Sequence, residues 1–164
     1  MALNSLKDVY IDQLQDMHSA DRQSLDATKK MLEVAKNKEL RTALENGVKG
    51  IASGIETLEA ILKGHDADPK GEFCKGMEGL VKEVHAHVLK ADFGDDDARD
   101  AMIISQYQRM THYGIAGYGC VAAFARRLEL NDNADRLQEC LDSTYEGDRE
   151  MSRIAEGTVN ADAV

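Results

Sequence analysis

Residues 110–119, MTHYGIAGYG, place three glycines inside a stretch whose apolar spacing is that of one long helix. Each glycine within a helix costs about 1 kcal/mol relative to alanine. The flanking pattern nevertheless runs straight through them. Ile103, Tyr107, Met110, Gly114, Gly117, Val121, Phe124 and Leu128 alternate steps of four and three, the seam that packs nearly antiparallel helices. No strand-like run precedes GIAGYG, so a nucleotide-binding glycine loop is a poor reading of it. The spacing predicts a helix from about Ala98 to Leu128.

Working outward, four more helices follow from periodicity. One spans about Asn4 to Val34, with Leu6, Tyr10, Leu14, Met17, Asp21, Leu25 and Thr28 on its seam and Asn4 or Ser5 as its cap. The next spans Lys38 to Lys63, with Gly64 as its stop. GHDADPKGE is a loop around the one proline, Pro69. A shorter helix covers Phe73 to Ala91. DFGDDDA then supplies a cap among Asp95–Asp97 for the helix already described. The last helix runs from about Ala134 to Glu156, capped by Asn131 or Asn133, with Leu137, Leu141, Thr144, Asp148 and Met151 on its seam.

These segments predict an all-α chain: a ferritin-like up-down bundle of four long helices, with a short helix in the crossover connection. One domain is expected over residues 1–157, with 158–164 as a flexible tail. The composition agrees, being rich in helix formers and poor in β-branched and aromatic residues.

The formal net charge of −10 argues against nucleic acid and anionic membrane surfaces as partners. No stretch is apolar and long enough to span a bilayer, and the N-terminus lacks a signal-peptide core. Cys74, Cys120 and Cys140 show no paired spacing and read as reduced, buried, structural thiols in a cytoplasmic protein.

A di-metal centre in such a bundle needs carboxylates from several helices and Glu-x-x-His pairs. This chain has no Glu-x-x-His. The carboxylates left on the seams are Asp21 and Asp148, the two candidate metal ligands should iron or manganese be bound. His18 lies one turn before Asp21. His112 falls off the seam, and His85 and His87 diverge around their helix. DFGDDDARD lacks the spacing of a calcium loop and the companions of a kinase motif.

FCKGMEGLVKE (73–83), MTHYGIAGYG and LQDMHSADRQSL (14–25) resemble motifs of the bacterial YciF-like proteins, a stress-associated branch of the ferritin-like superfamily. The resemblance covers nearly the whole chain. It implies a homodimer, a stress-related role and an interior cluster of acids. It aligns Asp21 with a family Glu, Gly47 and Gly50 with a His and a Glu, Thr111 and Gly114 with two Glu, and Ser143 and Thr144 with paired Glu. Glu78, His112, Tyr113, Tyr118, Gly119 and Asp148 match the family pattern.

The leading expectation is therefore a non-enzymatic bundle with a degenerate metal centre. One alternative is an iron- or manganese-dependent oxidase or peroxidase with a rearranged site around Asp21, assisted by Asp148, His18 or Glu78. Another is a small-molecule binding module using a glycine-lined gap near Gly50 and Gly114. Whether the small residues let helices close up or leave a void is open at this level.

Overall fold

The computed structural model describes residues 2–164. Four long helices carry the fold: α1 (Leu6–Val34), α2 (Lys38–Gly64), α4 (Asp96–Arg127) and α5 (Asn131–Ile154), with the short α3 (Lys75–Val84) between α2 and α4. No strand occurs among the described residues.

Local chemistry sets the ends. Ser5 caps α1 by accepting from the Asp8 amide, Asn37 caps α2, and Asp95 caps α4. The α1–α2 turn is tied to the far end of α4. There the fully buried Asp100 carboxylate accepts the Lys36 amide at 3.0 Å and the Asn37 amide at 2.6 Å. Asp66 and Glu129 adopt positive φ just past α2 and α4, where those helices end.

Side-chain contacts fix the topology. Asp16 meets Tyr113 and Asp21 meets Tyr118, whereas the α1–α2 junction at 36–37 meets Asp100, so α1 and α4 run antiparallel. The pairs His18–Glu59 and Lys7–His65 make α1 and α2 antiparallel, and Glu39–Arg153 does the same for α2 and α5. Hence α2 and α4 point the same way. The chain must return along the bundle between them, which is the work of the connection containing α3. This is the expected arrangement of four long helices with a short helix in the crossover connection.

Several boundaries differ from expectation. Phe73 stands outside α3 and is half exposed, because Cys74 is the cap and accepts from the Met77 amide through its thiol. The helix leaves α3 through a π-helical turn at His85–Leu89. Leu130, not an asparagine, precedes α5, and it makes no side-chain cap. The segment expected to fray continues as a π-helical turn, Ala155–Val159, and then helix to Asp162. Val159 is the reason: it is 1% exposed, packed in the apolar cluster with Met151 and Ile154.

The interior consists of two apolar clusters. One gathers Met31, Leu40, Leu44, Ile103 and Met151 at one end of the bundle. The other gathers Tyr10, Leu14, Leu58, Leu62, Val121 and Leu137 at the opposite end. Between them lies a polar waist.

Candidate functional site

The waist holds a cleft of about 610 Å³ that opens between α2 and α5. Asp21, Ser24 and Thr28 of α1 and Tyr107, Thr111, Gly114 and Tyr118 of α4 form its buried floor. Gly50 and Ser143 stand at its exposed rim. All the positions at which the motif resemblance replaces acids or histidine (Asp21, Gly47, Gly50, Thr111, Gly114, Ser143 and Thr144) line this one cleft.

The glycines there do two different jobs. A methyl on Gly47 would overlap the Tyr107 hydroxyl, and one on Gly54 would lie 2.5 Å from the Tyr118 hydroxyl and 3.1 Å from Asp21 Oδ2. One on Gly117 would overlap the Met17 sulfur. These three let side chains of facing helices approach. Gly50 and Gly114 differ: an added methyl would meet only Ser143 Oγ at 3.7 Å and Thr144 Cγ2 at 3.6 Å, ordinary contacts. Those two glycines leave space rather than close it.

Asp21 is the one carboxylate of the floor, and it is 7% exposed. Its Oδ2 accepts from the Tyr118 hydroxyl at 2.5 Å, and no other described side chain donates to it. Burial disfavours the charged form and pushes its pKa up to about 7, against the opposing pull of the Tyr118 bond. Tyr118 in turn is held well above the ordinary tyrosine value by its burial and by the neighbouring Asp21 charge.

Four hydroxyls of the waist are turned onto their own helices. Thr28 donates to the Ser24 carbonyl at 2.7 Å, Ser24 to the Asp21 carbonyl at 3.3 Å, Thr111 to the Tyr107 carbonyl at 2.9 Å and Thr144 to the Cys140 carbonyl at 2.7 Å. Each hydroxyl hydrogen is thereby used, and each oxygen keeps lone pairs.

The second expected ligand stands elsewhere. Asp148 does not line the cleft; its Oδ1 takes His112 Nε2 at 3.0 Å and Gln108 Nε2 at 3.1 Å. The cleft face of α5 runs through Cys140, Ser143, Thr144 and Gly147, so residue 148 lies about 100° further round the helix from Gly147. Asp21 and Asp148 are therefore not brought together. His18 turns away as well: it is buried and bonds Glu59 Oε1 at 2.9 Å. Glu78 pairs with Lys82 at 3.2 Å on the exposed side of α3. No group of three or more His, Cys, Asp or Glu suited to a metal ion exists among the described residues. The donor set thus does not fit the acid-rich di-metal centre that the resemblance implies for relatives.

Two sequence expectations need correction here. Cys120 is exposed, not buried, and Cys140 is half-buried; only Cys74 is fully enclosed. Cys74 belongs to a polar cluster that spacing did not reveal. Its sulfur lies 2.9 Å from the Tyr113 hydroxyl, which donates to Asp16 Oδ2 at 3.2 Å, and burial pushes the thiol pKa up. The CKGME and HY motifs meet at this contact, which joins α3 to α4 and α1.

Comparison with known proteins places this geometry. A family model described as a domain of unknown function, DUF892, matches residues 5–164. Protein YciF of Escherichia coli strain K12 is 28% identical over 164 residues, covering 99% of this chain and 98% of that protein. Among solved structures, the E. coli stress protein YciF superposes with a TM-score of 0.88 at 28% identity, over 96% of this chain and 98% of that one. YcfI from Rhodopseudomonas palustris superposes with a TM-score of 0.85 at 27% identity, over 92% of this chain and 94% of that one. No helix among the described residues is long and apolar enough to cross a membrane. With its helices, its motifs and the family model agreeing over almost the full length, the chain belongs to the DUF892 family of YciF-like proteins.

Proposed function

We propose that this chain is a non-enzymatic, stress-associated YciF-like bundle in which the acid-lined centre has degenerated into a hydroxyl-lined cleft without a metal pair. The observation that carries the reading is the donor set. The positions that would supply the acids and the histidine converge on a single cleft, yet only Asp21 brings a carboxylate to its floor. Divalent first-row ions in bundle centres are held by several inward carboxylates and histidines at once. One acid whose pKa lies near 7 is a weak ligand besides, since it must lose its proton to bind.

The stress association rests on the likeness to the E. coli stress protein YciF. The same reading includes cytoplasmic residence and a homodimer, which light scattering on the purified chain checks. Elemental analysis of protein purified without chelators tests the metal claim. Iron and manganese well below stoichiometric are expected. Stoichiometric metal that is lost on Asp21→Ala would overturn the proposal in favour of a rearranged redox site.

A further inference from the structure

The cleft combines one buried carboxyl with threonine oxygens whose hydrogens are already engaged. Thr28, Thr111 and Thr144 have given their hydrogens to backbone carbonyls and offer lone pairs to the interior. Asp21 offers a carboxyl oxygen that no described side chain occupies, at a site 7% exposed. Around the mouth, Glu139 and Glu146 stand beside Lys49 and Arg136, and Glu150 is taken by Arg153 at 2.7 Å, so the floor carboxyl of Asp21 sets the sign of the interior. The volume, about 610 Å³, is that of a small-molecule pocket. A buried carboxyl with an unoccupied oxygen, the one acid of the floor, selects a ligand group that donates and is positive.

We propose that this cleft binds a small aliphatic primary ammonium ion, its –NH₃⁺ seated on the free oxygen of Asp21 and its alkyl chain directed along Tyr107 and Met110 toward the mouth. An ammonium group carries three donors and no acceptor, matching a buried carboxyl in a cleft also lined by the oxygens of Thr28, Thr111 and Thr144. A hard metal cation of the Mg²⁺ or Ca²⁺ kind would need six or more oxygen ligands with several charges among them, which this floor does not supply. The inference rests on the reading of the waist as a metal-free interior. The two fail separately, because metal content is measured on the same sample used for binding.

The test is calorimetric titration near pH 8 with n-butylamine hydrochloride, run beside 1-butanol and sodium butyrate as neutral and anionic counterparts of the same length. Saturable one-to-one binding of the amine alone is expected, with a melting temperature that rises with amine concentration. Asp21→Asn, which keeps an oxygen for Tyr118, should weaken binding roughly tenfold or more through loss of the charged partner. Gly114→Leu, which fills the floor, should abolish binding while the helical signal and a cooperative melt persist. Absence of saturation by the amine would overturn the inference. So would unchanged affinity in Asp21→Asn, or butyrate or butanol binding as tightly as the amine. If Asp21→Asn does not melt cooperatively, Gly114→Leu decides: amine binding retained with the floor filled refutes the site, and binding lost from a folded variant supports it.

Discussion

The two ends of the bundle and its waist follow different rules with the same helices. At the ends, seam positions carry Leu14, Leu44, Leu58, Met31 and Leu137, all enclosed at 0% exposure. At the waist, the same seams carry Asp21, Thr28, Gly50, Thr111, Gly114 and Ser143 around open space. The ends supply the apolar burial that stabilises the fold, at about 25 cal/mol per Å² removed from water. The waist instead spends stability: it buries a carboxyl, keeps glycines in helix interiors and leaves contacts unmade. A bundle can carry such a weak centre because clamps on either side hold the helices together. Apolar contacts on either side of the waist, rather than the waist itself, hold the four helices together.

Substitutions should expose that division. The largest effect belongs to the ends: Leu44→Ala, at a fully buried site, should cost about 2–5 kcal/mol in denaturant unfolding. A loss well under 1 kcal/mol would mean that the ends are no better packed than the waist.

Next comes the buried acid. The folded pKa of Asp21 is raised from 3.8 to about 7, so the folded state holds this proton more tightly than the unfolded chain. Its contribution is fully present below the unfolded value and is lost as pH rises through about 7. At about 1.36 kcal/mol per unit, ionisation removes on the order of 4 kcal/mol. Asp21→Asn has no such proton to lose. The stability of this variant relative to wild type should therefore grow between pH 4 and pH 7 and level off above. A pH-independent difference would show that the carboxyl is not desolvated.

Within the waist the glycines should split. Gly54→Ala forces a methyl against the Tyr118–Asp21 pair and should cost about 1–3 kcal/mol. Gly50→Ala meets only ordinary contact, and the gain in helix propensity should stabilise by about 0.5–1 kcal/mol. Equal effects at the two positions would erase the distinction between close approach and open space, read in either case from thermal melts.

Much of the fold was legible because heptad seams, caps and breakers are local signals. The α4 seam ran through its glycines in the sequence as it does in the structure, and Ser5, Asn37 and Asp95 lie where short polar side chains meet free amides. What was not legible depended on distance across the bundle. Whether Gly50 leaves a gap depends on Ser143, and whether Gly54 closes one depends on Tyr118; neither follows from helix periodicity. Asp148 looked like a seam residue because a one-residue shift in phase turns a side chain by about 100°, and that shift is smaller than the uncertainty of the α5 boundary in sequence. His18 finds Glu59, and Cys74 finds Tyr113, through pairings 41 and 39 residues apart, to which no spacing rule applies. The C-terminal segment reads as a tail from its place at the chain end. The burial of Val159 in the apolar cluster with Met151 and Ile154 depends on packing across the bundle that no local pattern shows.

The central claim concerns what the waist can hold, and anomalous diffraction answers it most directly. Crystals grown without chelators and soaked in ferrous or manganous salt, with data collected across the metal absorption edge, should show no pair of adjacent cations among α1, α2, α4 and α5. Two neighbouring anomalous peaks within the cleft, liganded by Asp21 and residues of the facing helices, would contradict the account.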